Sequence, residues 1–467
     1  MGFFESTFLI IATLFFIGSI DDLFIDVVHF FLQLKPEHFD ATIWTRWRAL
    51  PEKNLAIMIP AWNESSVLEP MVKTNLARVK YRNYKWFIGV YPNDEETLAI
   101  AKSLELKHPE KVEVVITDRP GPTSKAHCLN CIMRVIEGMV EIANKEGSGW
   151  IPHYIAIHDA EDVIHPEAFT VINAQMETLD FIQVPIFSLP VPANEWVSGT
   201  YLDEFAEIHL KEIPVRKALG MPIPSAGVGT FFSRTLLEKM GKQYGYWFDE
   251  GNLTEDYEIS QRIARAGGKQ DFLLICDQKG EIIATREYFP HEVQRSIRQK
   301  TRWTMGISLQ TTAKWGFFGS QHFYQSWKNL ITFYSLLRDR KTLWANPTVL
   351  SAWSIVAIAL LTSAFIPHFS PIHQNHYSIF RVVFVVNFLF LVFRLFQRAR
   401  FCGYIYGYKH GALAVPRIIL STYINGFACL RAFKEYFIAT QNKQTRQIKW
   451  DKTDHRFPEE LLNAENN

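Results

Sequence analysis

The strongest constraint on the fold is a set of long apolar stretches near the two ends of the chain. A helix needs about 20 consecutive apolar residues to cross the hydrocarbon core of a bilayer. The stretch 346–366 contains no charged residue, and the stretch 8–31 is largely apolar, with its acids confined to its second half. A third stretch, 379–396, is long enough although it includes Arg381 and Arg394. These stretches predict three membrane-spanning helices.

The distribution of Lys and Arg around these stretches predicts their orientation. Cytoplasmic flanks of membrane helices are enriched in Lys and Arg. Basic residues follow the first stretch, precede the second at 338–341 and follow the third, whereas the loop 367–378 and the first residues of the chain have none. The N-terminus and this loop are therefore expected outside, and the middle of the chain in the cytoplasm.

A fourth apolar stretch, 411–433, has two interpretations. It contains Pro416, Arg417 and Arg431, and charged groups are costly inside a bilayer. An interfacial or re-entrant helix is therefore expected. A fourth crossing remains the alternative, although it would place the basic tail 434–456 outside, against the charge rule.

Charge and cysteine content argue against two further classes of site. A formal net charge of +1 gives no general attraction to nucleic acid, so no nucleic-acid partner is expected. The five cysteines form an odd, sparse set that does not suit a disulfide framework. Cys128 and Cys131 make a C-x-x-C pair without a second pair or a nearby His cluster. They are interpreted as core residues of a helix rather than as part of a zinc site.

The middle of the chain alternates short apolar runs with helical stretches. Strands are predicted at 55–60, 86–92, 112–118 and 154–160, and helices at 64–80, 95–108 and 125–144. This alternation predicts an α/β fold with a mostly parallel sheet. Ligands of such sheets bind at the carboxyl ends of the strands, and acids or amides follow each of the four apolar runs.

The last of these runs ends in a cluster of acids, His158-Asp159-Ala160-Glu161-Asp162. Clustered carboxylates at a strand end suit a hard divalent cation such as Mg²⁺ or Mn²⁺. The same acids also suit the capped start of a helix near Pro166. The spacing alone leaves both interpretations open.

Two later segments contain residues of types that take part in catalysis or ligand binding. Glu255 and Asp256 begin an amphipathic helix, where carboxylates can act simply as caps. The segment 298–303, R-Q-K-T-R-W, places cations and an indole on adjacent helical turns, as in an interfacial helix. The chemical alternative is that Arg302 neutralises a diphosphate and Trp303 offers a stacking face.

A set of motifs in the cytoplasmic block resembles, in identity and order, those of family 2 glycosyltransferases of the processive, cellulose-synthase-like kind. The motifs are P-A-W-N-E (60–64), K-A-x-x-L-N (125–130), a D-x-D-like element (159–161), T-E-D (254–256) and Q-x-x-R-W (299–303). Finer features, including SIDDLFIDVV, RPGPTSKA and WDKTDHRFP, resemble the bacterial inner-membrane subfamily called phage adsorption protein B. The resemblance implies a GT-A fold, Rossmann-like with a mostly parallel sheet, flanked by transmembrane and interfacial helices.

The resemblance also implies roles for individual residues. Asp256 would be the general base with Glu255 as the next candidate, and Asp159 and Glu161 would bind Mg or Mn. Trp303, together with Gly227 in the segment PSAGVGT, would contact the acceptor. The residues implied to bind the nucleotide-sugar are Ala61, Glu64, Asp94, Lys125, Asp159, Gln299 and Arg302.

The chain departs from the family pattern at two positions. Asn93 precedes Asp94 where the family usually has paired Asp residues. Glu161 replaces the second Asp of D-x-D, with Asp162 as a spare carboxylate. Which carboxylate binds the metal therefore stays open.

The resemblance implies five segments and one leading function. The segments are a transmembrane helix at 1–34, a cytoplasmic GT-A domain at 35–290, interface helices with Q-x-x-R-W at 291–345, a transmembrane hairpin at 346–396, and an interfacial helix with a cytoplasmic tail at 397–467. The implied function is an inverting, UDP-sugar-dependent hexosyltransferase of the bacterial inner membrane. It would polymerise a sugar, such as an N-acetylated amino sugar, into a secreted polysaccharide.

The implied partners are a UDP-sugar donor, a growing glycan acceptor, membrane lipid and an outer-membrane export partner. Longer members of the subfamily carry a cyclic-di-GMP-binding domain, so regulation by cyclic-di-GMP would act through a separate domain or protein. Two alternatives stay open. One is single transfer to a lipid acceptor, because Q-x-x-R-W occurs with both reactions. The other is a non-catalytic membrane receptor or secretion component that retains the transferase fold.

Overall fold

The computed structural model of the chain describes residues 3–316, 327–365, 376–441 and 456–458. They fall into two compact units. The helical unit lies within Met1–Leu34, Pro190–Val215 and His291–Asn442, and the sheet unit comprises Lys35–Leu189 and Arg216–Pro290 together with 456–458. The chain thus leaves the sheet unit at Pro190, returns to it at Arg216 and leaves it again at His291.

The elements are numbered here along the chain. The helices are α1 (Phe3–Phe31), α2 (Ala41–Arg48), α3 (Leu68–Arg78), α4 (Glu95–Lys107), α5 (Lys125–Glu146), α6 (Ala168–Gln175), α7 (Trp196–Glu207), α8 (Ile213–Ala218), α9 (Arg234–Tyr244), α10 (Glu255–Arg265), α11 (Val293–Trp303), α12 (Thr311–Trp315), α13 (Trp327–Arg340), α14 (Thr342–Phe365), α15 (Tyr377–Tyr406) and α16 (Tyr408–Gln441). Two π-helical segments, Ile208–Glu212 and Thr304–Gln310, continue α7 and α11.

The strands are short and twelve are described. They are β1 (Glu37–His38), β2 (Leu55–Pro60), β3 (Tyr84–Val90), β4 (Val112–Ile116), β5 (Tyr154–Ile157), β6 (Val163–Ile164), β7 (Phe181–Gln183), β8 (Ile186–Ser188), β9 (Thr230–Ser233), β10 (Gln270–Phe272), β11 (Ile275–Cys276) and β12 (Thr285–Glu287).

The main sheet of the sheet unit has seven strands in the order β10-β7-β9-β5-β2-β3-β4. All neighbouring pairs are parallel except those of β9, which runs antiparallel to both β5 and β7. The predicted α/β class with a mostly parallel sheet is therefore confirmed. A three-stranded sheet, β6-β12-β8, and the pair β1-β11 complete the unit.

The central strands are apolar because the sheet is covered on both faces. Every residue of β2 is buried, as is nearly all of β3, and such strands appear in sequence as continuous apolar runs. In the register, Ile57 lies beside Trp86 on one side and Ala156 on the other. The carboxyl ends of β2, β3 and β5 consequently meet at one edge, where the loops that follow them lie together.

Four helices of the helical unit are long and apolar enough to cross a membrane: Phe4–Phe31, Thr342–Thr362, Tyr377–Tyr406 and Tyr408–Gln441. The first and third contain the predicted stretches 8–31 and 379–396, and the second contains 346–362 of the predicted stretch 346–366. The fourth contains 411–433, for which an interfacial position was expected, and that position stays a prediction. Most of the predicted external loop 367–378, and the tail from 442 to 455, lie outside the described residues.

Several charges within these helices are paired inside the helical unit. Asp21 and Asp22 in α1 both bond Lys341, with Nζ–O distances of 2.9 and 2.6 Å. Arg394 of α15 lies 2.9 Å from Asp22. The acids of the first apolar stretch therefore hold α1 against the basic segment before α14, and they do not argue against a span.

Candidate active site

The candidate site in the sheet unit is centred on Lys125, the first residue of α5. Ser124 caps this helix by accepting a hydrogen bond from the amide of His127. Capping by Ser fixes the start of a helix, so the position of the lysine is set by the helix terminus. The Nζ atom of Lys125 lies 2.6 Å from Oδ1 of Asp159 and donates to the carbonyl oxygen of Gly227 at 3.2 Å.

Asp159 is held in place by the turn that follows β5. Its amide donates to Oδ2 of Asp162 at 3.1 Å, and the same oxygen lies 2.8 Å from Nδ1 of His158. Both of these partners are fully buried. Asp162, the spare carboxylate of the sequence analysis, therefore shapes the turn rather than facing the site.

The two carboxylates expected to bind a metal differ in exposure. The side chain of Asp159 is 28% exposed, whereas Glu161 is only 1% exposed. A carboxylate oxygen is the ligand that Mg²⁺ and Mn²⁺ prefer, and Asp159 already attracts a cation, the ammonium of Lys125. The donor chemistry and this stand-in cation are compatible with a divalent ion at Asp159.

Within the described residues, two groups of three metal-ligand side chains have their donor atoms within 4.8 Å of one another, and neither includes Asp159 or Glu161. The groups are Asp118 with His127 and Cys131, and His165 with Asp277 and Glu281. In the first group Arg134 lies 2.8 Å from the Asp118 carboxylate, so a cation is already present. In the second group Nδ1 of His165 accepts a hydrogen bond from the amide of Glu167. A neutral His165 ring therefore carries its proton on Nε2, the nitrogen that faces the carboxylates of Asp277 and Glu281. Neither group is assigned as a metal site.

Two further carboxylates stand at the start of α10. Burial, together with the neighbouring Asp256, raises the pKa of Glu255 to about 8, although Lys125 opposes the shift. Burial also raises the pKa of Asp256, against the opposing effect of Lys125. Near neutral pH Glu255 therefore holds a proton, and the pKa of its neighbour Asp256 is shifted in the same direction.

The loop containing Gly227 closes over these groups. Gly227 has a φ of +81°, a conformation that favours glycine. A Cβ atom at this position would lie 2.7 Å from Oδ2 of Asp256 and 3.5 Å from Nζ of Lys125. The absence of a side chain here is what lets the loop backbone approach both groups.

Burial disfavours the charged form of Lys125, but the surrounding carboxylates of Asp159, Glu255 and Asp256 outweigh burial and raise its pKa. The lysine is therefore a permanent cation among three carboxyl groups. The structure thus brings together five of the predicted residues, Lys125, Asp159, Gly227, Glu255 and Asp256.

A second group of predicted residues follows β2 and β3. Oδ2 of Asp94 accepts from the amide of Asn63 at 2.6 Å, and Oδ1 accepts from the amide of Thr97 at 3.3 Å. The amide of Glu64 donates to the Thr97 hydroxyl. Ala61, Glu64 and Asp94 are all buried. Asp94 therefore joins the two loops in addition to any contact with a ligand.

Sequence reasoning missed the part that Asn93 plays. Its Nδ2 donates to the carbonyl of Gly121 at 2.8 Å, and its Oδ1 accepts from the amide of the same residue at 2.7 Å. The rings of Trp62 and Tyr91 leave no room for a Cβ on Gly121. An amide can make this reciprocal pair and a carboxylate cannot, which gives a physical reason for Asn where the family usually has Asp.

The three residues of Q-x-x-R-W lie on α11, in the helical unit. Gln299, Arg302 and Trp303 are all partly exposed. The indole of Trp303 makes ring contacts with two residues of α7, Tyr201 at 6.3 Å and Phe205 at 6.1 Å between centroids. The motif is therefore described within its own unit, separately from the cluster around Lys125.

Comparisons with known proteins extend this description. Residues 51–306 match a family model described as Glycosyltransferase like family 2. Bacteriophage adsorption protein B of Escherichia coli strain K12 and Bacteriophage N4 adsorption protein B of Escherichia coli O157:H7 are each 34% identical over 481 residues, 96% of this chain. The chain spans 61% of the length of these curated relatives.

Among solved structures, the mannosyltransferase PcManGT from Pyrobaculum calidifontis, in complex with GDP-Man and Mn²⁺, matches with a TM-score of 0.49 and 14% identity. The match covers 88% of this chain and 98% of that one. The family assignment does not depend on this similarity. The family model covers more than half of the chain, and its range contains every strand of the seven-stranded sheet and the residues around Lys125. The chain is accordingly a membrane protein that belongs to the glycosyltransferase 2-like family.

Proposed function

We propose that this protein is an inverting glycosyltransferase of the bacterial inner membrane that transfers sugar from a UDP-sugar donor to a growing glycan. The single observation that carries the proposal is the cluster of Lys125, Asp159, Glu255 and Asp256 in a family 2 domain. The catalytic sheet unit would face the cytoplasm, where nucleotide-sugars are made, and the product would be a secreted polysaccharide such as an N-acetylated amino-sugar polymer.

Asp256 would act as the general base. Inverting transfer requires a group that takes the proton from the acceptor hydroxyl as the new glycosidic bond forms. The raised pKa of Asp256 makes it a stronger base than an exposed carboxylate, while the proton on Glu255 keeps the pair from carrying two charges. The leaving group is the UDP diphosphate, whose negative charge requires a counter-charge.

Lys125 supplies part of that counter-charge. Its ammonium would hold the diphosphate once a donor competes with Asp159 for it. Asp159, with Glu161, would hold a Mg²⁺ or Mn²⁺ ion, which when bound supplies Lewis-acid stabilisation of the diphosphate. Ala61, Glu64 and Asp94 would surround the nucleoside.

The remaining residues would act on the acceptor side and on the diphosphate. Gln299 and Arg302 would contact the diphosphate, since Arg suits bidentate recognition of phosphate. Trp303 and the loop at Gly227 would frame the acceptor. Membrane lipid would surround the apolar helices, an outer-membrane partner would export the polymer, and cyclic-di-GMP would act through a separate domain or protein.

Two alternatives remain in competition with this proposal. Single transfer to a lipid acceptor uses the same residues. The names of the relatives, both phage adsorption proteins, favour a second candidate, a membrane component of phage adsorption that retains the transferase fold without catalysis.

A panel of radiolabelled UDP-sugars, incubated with membranes that contain the protein, tests all three. A long product from one donor supports polymerisation, and a single-sugar lipid product supports the first alternative. Failure with every common UDP-sugar in the presence of Mg²⁺ or Mn²⁺ favours the non-catalytic component.

A further inference from the structure

A buried ion pair within the helical unit involves Lys300, which occupies the first x of the Q-x-x-R-W motif. Lys300 stands between Gln299 and Arg302 on α11. Its side chain is 6% exposed, and its ammonium bonds the carboxylate of Glu204 on α7. The ammonium also lies 4.8 Å from the centre of the Tyr201 ring, one helical turn away on α7.

Glu204 is bonded on both carboxylate oxygens. Oε2 binds Lys300, while Oε1 accepts from the Ser421 hydroxyl at 2.6 Å and from Nδ2 of Asn425 at 2.9 Å. The last two residues belong to α16. One carboxylate therefore joins three helices, α7, α11 and α16.

A second contact one turn further along α11 involves the same face of α7. The indole of Trp303 meets the rings of Tyr201 and Phe205. Residues three apart on a helix lie on one side of it, so Lys300 and Trp303 contact the same stretch of α7. Two contacts one turn apart on the same side of α11 oppose its rotation about the helix axis.

We propose that Glu204 and Lys300 are positioning residues for glycosyl transfer, because they fix the rotation of α11 and hence the directions of Arg302 and Trp303. The inference rests on the proposed function of Q-x-x-R-W. Neither positioning residue needs to touch the substrate. Small misplacements of groups that contact a substrate are costly, since a displacement of about 1 Å can lower a rate about 100-fold.

The test compares Glu204→Gln with Asp203→Asn. Asp203 is the neighbouring carboxylate of α7, and it makes a buried bidentate pair with Arg417 of α16, at 2.6 and 3.0 Å. Both substitutions break a buried ion pair of α7. Of the two carboxylates, Glu204 is the one bonded to α11.

We expect Glu204→Gln to lower kcat for sugar transfer by about 100-fold, with a melting temperature no lower than that of Asp203→Asn. Exchange of the two charges, Glu204→Lys with Lys300→Glu, should recover most of the rate, because Ser421 and Asn425 can accept as well as donate. Wild-type transfer by Glu204→Gln, or an equal kcat loss in Asp203→Asn, would overturn the proposal.

A readout without activity keeps this inference separate from the proposed function. In protein labelled with 5-fluorotryptophan, the ¹⁹F resonance of Trp303, assigned by its loss in Trp303→Phe, should shift or broaden in Glu204→Gln and return in the charge exchange. If no sugar is transferred from any donor but the resonance behaves in this way, the proposed function fails while the positioning of α11 stands. An unchanged resonance in Glu204→Gln refutes the positioning itself.

Discussion

The ammonium of Lys125 lies 2.6 Å from Oδ1 of Asp159, the carboxylate that a family 2 transferase of this pattern would offer to a metal. Asp159 is therefore paired with a cation of the protein itself. The same ammonium is surrounded by Glu255 and Asp256 and bonded to the Gly227 carbonyl. Under the proposed function, a donor and its metal would displace this ion pair when they bind.

The first prediction concerns competition between Lys125 and the metal. Lys125→Met removes the internal cation from three carboxyl groups, so Mn²⁺ alone should bind at least about 10-fold more tightly than to the wild type. UDP should bind more weakly, because the diphosphate loses its lysine. Electron paramagnetic resonance of free Mn²⁺ measures the first effect. Lys53→Met, which removes a lysine paired with Glu177, is the control, and an unchanged Mn²⁺ affinity in Lys125→Met would contradict the prediction.

The second prediction separates an enzyme from a scaffold. Oδ1 of Asp256 accepts from the amide of Tyr257, and Asn can make the same bond. Asp256→Asn should therefore keep its melting temperature and its UDP affinity, while transfer falls by at least about 100-fold because Asn cannot accept the proton. Near-normal transfer by the stable variant would remove Asp256 as the base and make Glu255 the next candidate.

The third prediction is a pH dependence of stability. The pKa of Glu255 is about 8 in the folded protein, against 4.5 for an ordinary Glu. Between these values the folded state binds more protons than the unfolded state, so the free energy of unfolding contributed by Glu255 falls as the pH rises. The stabilisation is complete below about pH 4.5 and lost above about pH 8.

Glu255→Gln should remove that slope. In thermal unfolding of the ligand-free protein, the difference in melting temperature between the variant and the wild type should favour the variant increasingly from pH 6 to pH 9. A constant difference across this range would mean that Glu255 is not protonated in the folded state.

The fourth prediction concerns Asn93 and Gly121. Asn93→Asp places a carboxylate oxygen against the Gly121 carbonyl and should cost about 1 kcal/mol of stability at neutral pH. A protonated carboxyl can donate as the amide does, so stability should recover as the pH approaches about 4. Asn93→Ala, which can neither donate nor accept, should show no recovery. Equal pH profiles for the two variants would exclude the reciprocal pair as the cause.

The fifth prediction decides the position of α16. This helix has 34 residues, a length of roughly 50 Å, so both a crossing and an interfacial position are geometrically available. The interfacial interpretation predicts that topology reporters fused after Gly407 and after Thr440 both report the cytoplasm. Reporters on opposite sides would establish a fourth crossing.

Much of the sheet and of the site could be predicted because it depends on local sequence. The buried strands β2 and β3 are continuous apolar runs, and the residues that follow parallel strands meet at one edge whatever the details of packing. Lys125, Asp159 and Asp256 were found in this way, through strand ends and motifs. The antiparallel β9 gave no local signal, because strand direction depends on the tertiary path.

Two features could not be predicted because their partners are distant in sequence. Asn93 pairs with Gly121 across two loops, and its amide gives no sign of this by itself. The acids of Pro190–Val215 give no sign in sequence of their partners, because Asp203 is neutralised by Arg417, 214 residues away along the chain. The side chains of Asp203 and Arg417 are therefore buried in the structure, although charged residues are usually exposed.

The passage of the chain through Pro190–Val215 also sets an order for synthesis. Strands β2 to β8 leave the ribosome before α7, whereas β9 to β12 follow it, so the sheet unit cannot be completed before α7 exists. The cations that neutralise α7, on α11, α15 and α16, are made later still. A fragment cut at Lys35 and Pro290 would keep all seven strands of the main sheet but leave three carboxylates of α7, Asp203, Glu204 and Glu207, without Arg417, Lys300 and Arg398. In that fragment α7 would be a hydrated acidic helix instead of an interior one.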